Sequence, residues 1–333
     1  MAMNPLNAVG RWTVDWTNPP MRWLQARVGV RRMAFLFLLP NFLALAIFVF
    51  LPMLLNGVYA VTDGNRVLPT ERAFVGLQHF RTLFSCTNYL DPATCAPEVF
   101  FFWRGLYNTV FFVVIEVVCM VGFSLATALV LNRLVRAQGF WRAVFFYPVM
   151  LSPVVVALIW KWILDRQGLL NGTLDRLGLD GLPWLLDAHW AMFWSIFIYV
   201  WAHAGFYTLI ILAGLQAIPK DLYEAASLES DRPFTNGRIF RKVTLPLLMP
   251  TLLSVSVIAV TKAFQVFDEV WVLTRGGPGT ATTFVLQSIY ETGFTTAPRE
   301  YGLAAAMSIL LALIIFLLTG LQLVLSNRRM EDR

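Results

Sequence analysis

Charge is scarce in this sequence: 14% of its 333 residues are Asp, Glu, Lys or Arg, while 58% are hydrophobic and the mean hydropathy is +0.64. A soluble domain is about 25% charged and about 45–50% apolar, so the bilayer is the first solvent to consider. Cysteine is nearly missing too. Of the three present, Cys119 lies inside an apolar run and Cys86 and Cys95 lie near each other. There is no CxxC pair and no Cys/His cluster, so no metal site is expected. His79, His189 and His203 are far apart in the chain and are expected to be structural. The sequence has no GxxxxGK[ST] phosphate loop, no HExxH and no GxSxG, so it presents no enzyme active site and no means of cradling a nucleotide. The net charge of +6 is spread between apolar spans with no recognition helix or aromatic sheet motif, which excludes nucleic acid as a partner.

Long apolar runs are what the chain does have. A spanning helix needs about 20 mostly apolar residues. Six stretches qualify: Met33–Val61, Thr109–Leu131, Ala143–Leu164, Trp190–Ala217, Leu245–Phe267 and Gly302–Ser326. The first is too long for the apolar core of a cleaved signal peptide, and Pro40 and Pro52 within it are tolerable in a membrane helix. The segments that alternate with these spans differ in charge. The arm 1–32, the turn holding Arg133, Arg136 and Arg142, the segment from Lys220 to Lys242 and the tail 327–333 hold sixteen Lys and Arg residues; the three other connections hold nine. The positive-inside bias therefore predicts an all-α integral membrane protein whose 33–326 domain has six spans, with both termini and the loop 218–245 in the cytoplasm.

On the opposite side, the loop 62–104 would face an oxidising compartment in a Gram-negative cell. Cys86 and Cys95 can close a short disulfide there, contributing about 2–3 kcal/mol to local order, or remain two inert thiols. Trp103, Trp141, Trp160, Trp162, Trp184 and Trp190 crowd the span ends, as an interfacial aromatic belt does. In the arm, Trp12, Trp16 and Trp23 alternate with arginines, which suits either a lipid-lying segment or an unstructured leader. The glycine-rich Arg275–Thr280, RGGPGT, reads as a turn.

The segment YEAASLESDRPFTNGRIFRKVTLPLLMP is unusual for such an oily chain, since nine charged residues fall between Lys220 and Lys242. Pro219 can open a helix, and Lys220–Leu228 then reads as a short one. Ala225, Ala226 and Ser227 keep part of its surface thin, while Glu224 and Glu229 offer anionic anchors for an arginine on a partner. Local physics leaves two readings: a socket for a cytoplasmic protein, or a solvated loop.

EAASLES…TLPLLMP is similar to the EAA loop of the inner-membrane permease subunits of binding-protein-dependent ABC importers. RAVFFYPVMLSPVVVALIWKWIL, GLLNGTLDRLGL with WLLD, GLQAIPKDLYEAA, VFDEVWVLTRGGPGTATTFVLQSIYETGF and LLPNFLALAIFVFLP resemble the carbohydrate branch of that family, in its order, over about Leu36 to Leu325. The resemblance implies a type I importer permease, half of a heterodimer with a second permease, in the bacterial inner membrane. It also implies that the Tyr223–Ser227 stretch, with Glu224, Ala225 and Ala226 at its centre, forms a coupling helix docked on a separate ATPase subunit, where ATP and Mg act. A periplasmic or lipid-anchored solute-binding protein would deliver a sugar, polyol or, as in related permeases, glycerol phosphate. The chain departs from the family pattern in having Ser230 where glycine is usual, and in a stretch to Leu245-Pro246 about three residues longer than usual. The competing class, a self-sufficient secondary transporter or channel, would need inverted repeats and coupling-ion sites, and no clear repeat is present.

Polar groups within spans are costly and usually face a cavity. Thr261, Gln265 and Asp268 fall at i, i+4 and i+7 near the end of the fifth span, with Phe264, Phe267 and Trp271 on a neighbouring face. Such a combination suits a sugar, and equally suits a helix end reaching the interface. Glu116, inside the second span, is expected either to line the path or to pair across a subunit contact.

Overall fold

The computed structural model describes residues 29–63, 66–133, 138–228 and 236–331, with positions 23, 25 and 27. The Trp12 and Trp16 part of the arm and the Glu229–Pro233 part of the charged loop lie outside the described residues, as do the side chains of Ala226 and Ser227.

The chain divides into two units after Tyr59. The first is a helical rod: α1 (Val30–Leu45) runs through a wide π turn (Ala46–Phe50) into α2 (Leu51–Ala60). Pro52 cannot donate to the carbonyl four residues back and its ring crowds that carbonyl, and the π turn falls where the ladder is so interrupted. The stretch Phe35–Ala60 is long and apolar enough to cross a membrane.

The second unit starts with a small cap. β1 (Thr62–Asp63) pairs antiparallel with β2 (Ala73–Phe74), followed by α3 (Gln78–Leu83). Buried Arg72 organises it, donating to Thr62 Oγ1 at 3.0 Å, to the Thr62 carbonyl at 2.9 Å and to the Arg66 carbonyl at 2.8 Å. Cys86 and Cys95 are joined as a disulfide. Thiol labelling of the denatured chain is therefore expected to modify Cys119 alone without reductant and all three cysteines with it; labelling of all three without reductant would show the bond to be absent.

From there the unit is helical. α4 (Pro97–Arg133) is the long central helix, starting twelve residues before the expected span, with Val99 and Phe102 of its first turns buried and Trp103 donating to the Leu83 carbonyl of the cap. The expected third span is two pieces, α5 (Gln138–Phe146), continued by a tight turn (Tyr147–Met150), and α6 (Pro153–Ile163), bent by 95° to each other. The residue before a proline avoids helical backbone, and Ser152 before Pro153 is extended at ψ 137°. α7 (Leu169–Arg176) follows, then α8 (Ala188–Gln216), whose first amides at His189 and Trp190 are capped by Asp187 Oδ1 at 2.9 and 3.1 Å. α9 (Lys220–Leu228) and α10 (Asn236–Ile239) lie between α8 and α11 (Leu245–Ala263). Last come α12 (Asp268–Leu273), α13 (Val285–Tyr290) and α14 (Tyr301–Glu331). Among the described residues five helices are thus long and apolar enough to cross a membrane, six if the bent pair counts as one span.

α4 and α8 form the spine, packed along their length. Ser124 Oγ donates to the Ala204 carbonyl at 3.2 Å, and at Gly205 the backbone of α8 lies directly against that of Phe145–Phe146. Their shared core includes Phe112, Met120, Tyr199, Tyr207 and Ile211. A second cluster holds Trp184, which is 7% exposed and donates from its indole to Asn171 Oδ1 at 2.9 Å. Trp184 is thus a core residue rather than part of an interfacial belt.

Candidate functional site

Two regions carry the residues singled out in the sequence. The first is α9. Tyr223 is half-buried and its hydroxyl lies 3.3 Å from Thr244 Oγ1, which ties α9 to the π turn (Phe240–Thr244) that opens α11. Tyr223 and Thr244 also line a small cavity of about 130 Å³ with Leu129, Arg133 and Phe240. Lys220, Asp221, Leu222, Glu224 and Ala225 are exposed. One face of α9 therefore meets the bundle through Tyr223, and the other is exposed.

The second region follows α11. The helix stops at Ala263, and Phe264 to Phe267 form a bend before α12 opens at Asp268. Thr261, Gln265 and Asp268 consequently do not share one helical face; that expectation assumed a continuous helix. Thr261 donates to the Val257 carbonyl at 2.9 Å within its own helix, whereas Gln265 and Asp268 are exposed. Phe264, 4% exposed, belongs to the core and anchors the bend.

The bend brings together rings that sequence spacing kept apart. Phe267 and Trp271 stack with centroids 5.7 Å apart and an interplanar angle of 19°. Tyr290 of α13 closes against both, at 5.2 and 5.6 Å, and Phe294 lies 5.6 Å beyond it. Phe267 and Trp271 are half-buried, while Tyr290 and Phe294 are exposed. The result is a four-ring surface with Gln265 and Asp268 beside it in the chain.

α13 is held in place by α4. Asn108 Nδ2 donates to the carbonyls of Thr280 and Thr283 at 2.7 and 3.0 Å, the Val285 amide donates to Thr109 Oγ1 at 3.0 Å, and Ser288 Oγ donates to the Phe101 carbonyl at 2.7 Å. RGGPGT is the turn between α12 and α13, with Gly276 at φ 86° and packed against Thr283 and Gln287. Tyr290 and Phe294 had no local signal; only the non-local return of the chain assigns them.

Glu116 is fully buried in the packing of α4 on α8, and neither carboxyl oxygen meets a donor among the described residues. It is on no exposed face, so neither lining a path nor pairing across a subunit contact fits its position in this structure. No group of three or more His, Cys, Asp and Glu side chains suited to a metal occurs among the described residues.

Residues 119–331 match the family model of the binding-protein-dependent transport system inner membrane component. The chain is 31% identical over 315 residues to the trehalose/maltose transport system permease protein MalF of Thermococcus litoralis, covering 93% of this chain and 97% of that protein. It is 30% identical over 299 residues to the sn-glycerol-3-phosphate transport system permease protein UgpA of Agrobacterium fabrum, covering 89% and 95%. Its fold is similar to that of a chain in the crystal structure of a bacterial ABC transporter that imports alginate, with a TM-score of 0.76 at 23% identity, covering 92% and 98%. An all-α membrane chain with this helix order, a short charged helix before its fifth span and relatives of this kind belongs to the binding-protein-dependent transport system inner membrane components, the permease subunits of ABC importers.

Proposed function

We propose that this chain forms half of a translocation pathway for a sugar or related polyol, beside a second permease, in a bacterial inner membrane with both termini in the cytoplasm. Two ATPase subunits would bind ATP and Mg, one of them docked on α9. A solute-binding protein would deliver the substrate from the other side, and alternating access would follow from motion of α9. Relatives named for trehalose/maltose, lactose and glycerol-3-phosphate transport agree with a small hydroxylated cargo.

The observation that carries the sugar reading is the four-ring surface. Sugars have apolar C–H faces that lie flat on aromatic rings and a hydroxyl rim that needs hydrogen-bond partners. Phe267, Trp271 and Tyr290 offer the former; Gln265 and Asp268 offer the latter. Asp268 is a carboxylate in the open, which favours a neutral polyol over glycerol phosphate.

In liposomes holding the assembled transporter, Trp271→Ala is expected to raise the sugar concentration for half-maximal uptake about tenfold, roughly 1.4 kcal/mol of lost ring contact. Unchanged half-saturation would remove the rings from the pathway. Purification of the tagged chain from native membranes is expected to bring a nucleotide-binding subunit and a second permease with it. A chain that comes out alone and transports without ATP would be a self-sufficient secondary transporter instead.

A further inference from the structure

His203 lies on α8 one turn beyond Tyr199, and its imidazole stacks on the tyrosine with centroids 4.3 Å apart. Its Nδ1 is 3.0 Å from the Tyr199 carbonyl oxygen. A carbonyl only accepts, so Nδ1 carries a hydrogen and donates it. That fixes the role of the other ring nitrogen. Nε2 lies 3.5 Å from Oε1 of Glu269 on α12. A neutral imidazole protonated at Nδ1 has only a lone pair at Nε2, and a carboxylate has only lone pairs. The contact, long for a hydrogen bond, is attractive only when the pair carries one further proton, on the ring or on the carboxyl.

The surroundings leave few other partners for that proton. The Glu269 side chain is 9% exposed and that of His203 is 32% exposed, so the pair is closed on one side and open to exchange on the other. Asp268 on α12 is a like charge near Glu269, and Tyr199 is within electrostatic reach of Glu269, Glu116 and Tyr207. On α6, which also packs on α12, Lys161 Nζ donates to the Val272 carbonyl at 3.2 Å. Burial pushes the Glu269 carboxyl above the ordinary carboxylate range, with His203 opposing it.

What depends on this contact is α12. Six residues make no stable helix alone, so its place is set by what holds it. Buried Val270 and Leu273 seat it in the two cores, while Lys161 ties its last turn and Glu269 its first, with Trp271 between those two polar attachments. We propose that His203 and Glu269 share a single proton, and that this proton fixes α12 so that Phe267 and Trp271 face the substrate. Both are positioning residues, and the proposal rests on the reading of the ring surface given above.

The test is uptake by the assembled transporter across pH, with a second readout that ignores substrate. Raising the pH removes the shared proton and sets two lone pairs against each other, so the wild type is expected to lose affinity on the alkaline side. Acid adds a second proton but leaves an N–H facing a carboxyl oxygen, so the contact survives. Glu269→Ala is expected to raise half-saturation about tenfold at every pH. In Glu269→Gln the amide N–H donates to Nε2 without a titrating proton, so it is expected to recover most of that affinity and to flatten the alkaline limb. The chain has three histidines, so ¹⁵N-imidazole spectra can be assigned by comparison with His203→Gln. The His203 signals are expected to show the Nδ1–H form and to change in Glu269→Ala. Imidazole signals indifferent to Glu269 overturn the shared proton, whatever uptake does. A shared proton with Glu269→Gln as impaired as Glu269→Ala overturns its positioning role. If the spectra show the shared proton but Trp271→Ala is silent, the ring-surface reading has failed, and the positioning role falls with it.

Discussion

Gly205→Ala is expected to lower the yield of monodisperse, detergent-solubilised chain several-fold and to lower its thermal midpoint by several degrees. A methyl group there would sit against the Phe145 carbonyl oxygen and 2.9 Å from the Phe146 Cα. Both obstacles are backbone, so no rotamer change relieves them, and the α5 end of the bent span must move away from α8. Overpacking a well-filled core costs about 1–3 kcal/mol even when side chains can adjust, and here the cost lies at the upper end or above. Two further glycines calibrate the result. At Gly214 the added methyl meets Thr251 Oγ1 at 2.7 Å and Cγ2 at 2.9 Å, a side chain able to turn, so Gly214→Ala should be milder. At Gly122 nothing lies within 4 Å. Alanine is the better helix former by about 1 kcal/mol, so Gly122→Ala should match or exceed the wild type. Equal midpoints for Gly205→Ala and Gly122→Ala would show that α5 and α8 do not meet backbone to backbone.

That contact illustrates what could be read from the sequence and what could not. The spans were legible because their signal is local: a run of apolar residues of bilayer length needs no knowledge of neighbours. The bend in the third span was written in Ser152-Pro153 as well, but a run of high hydropathy hides a proline that membrane helices usually tolerate. The early start of α4 was missed because what settles it is tertiary: Val99 and Phe102 are buried, and Trp103 donates to the Leu83 carbonyl of the cap. At the ring surface, Phe267 and Trp271 were found by spacing, although the helix that justified the spacing ends at Ala263. Tyr290 and Phe294 were out of reach, since the Asn108 and Ser288 hydrogen bonds that bring α13 back connect residues more than 170 positions apart. His203 was set aside as structural for a similar reason: its carboxylate partner stands on another element.

Glu224→Lys is expected to weaken capture of the ATPase subunit roughly 100-fold and to abolish ATP-driven uptake, with the amount of membrane-inserted chain unchanged. Placing a like charge where a partner presents a cation costs several kcal/mol, and about 2.7 kcal/mol already gives that factor. The substitution lies on the exposed side of α9 and leaves the Tyr223 contact in place. Normal ATP-coupled uptake by this variant would show that α9 is a solvated loop after all. Tyr223→Ala separates docking from transmission. It keeps the exposed face that would receive the motor but removes the 3.3 Å contact with Thr244, through which α9 meets the start of α11. α11 has 19 residues, a rod of about 28 Å, and its far end is the bend that carries Phe267 and Trp271. A push on α9 thus has a continuous rigid route to the rings. With the first link cut, the ATPase subunit should still co-purify and hydrolyse ATP while uptake falls, so hydrolysis per molecule transported should rise. If Tyr223→Ala lowers hydrolysis and uptake in equal proportion, force reaches the pathway by some other link than Tyr223–Thr244.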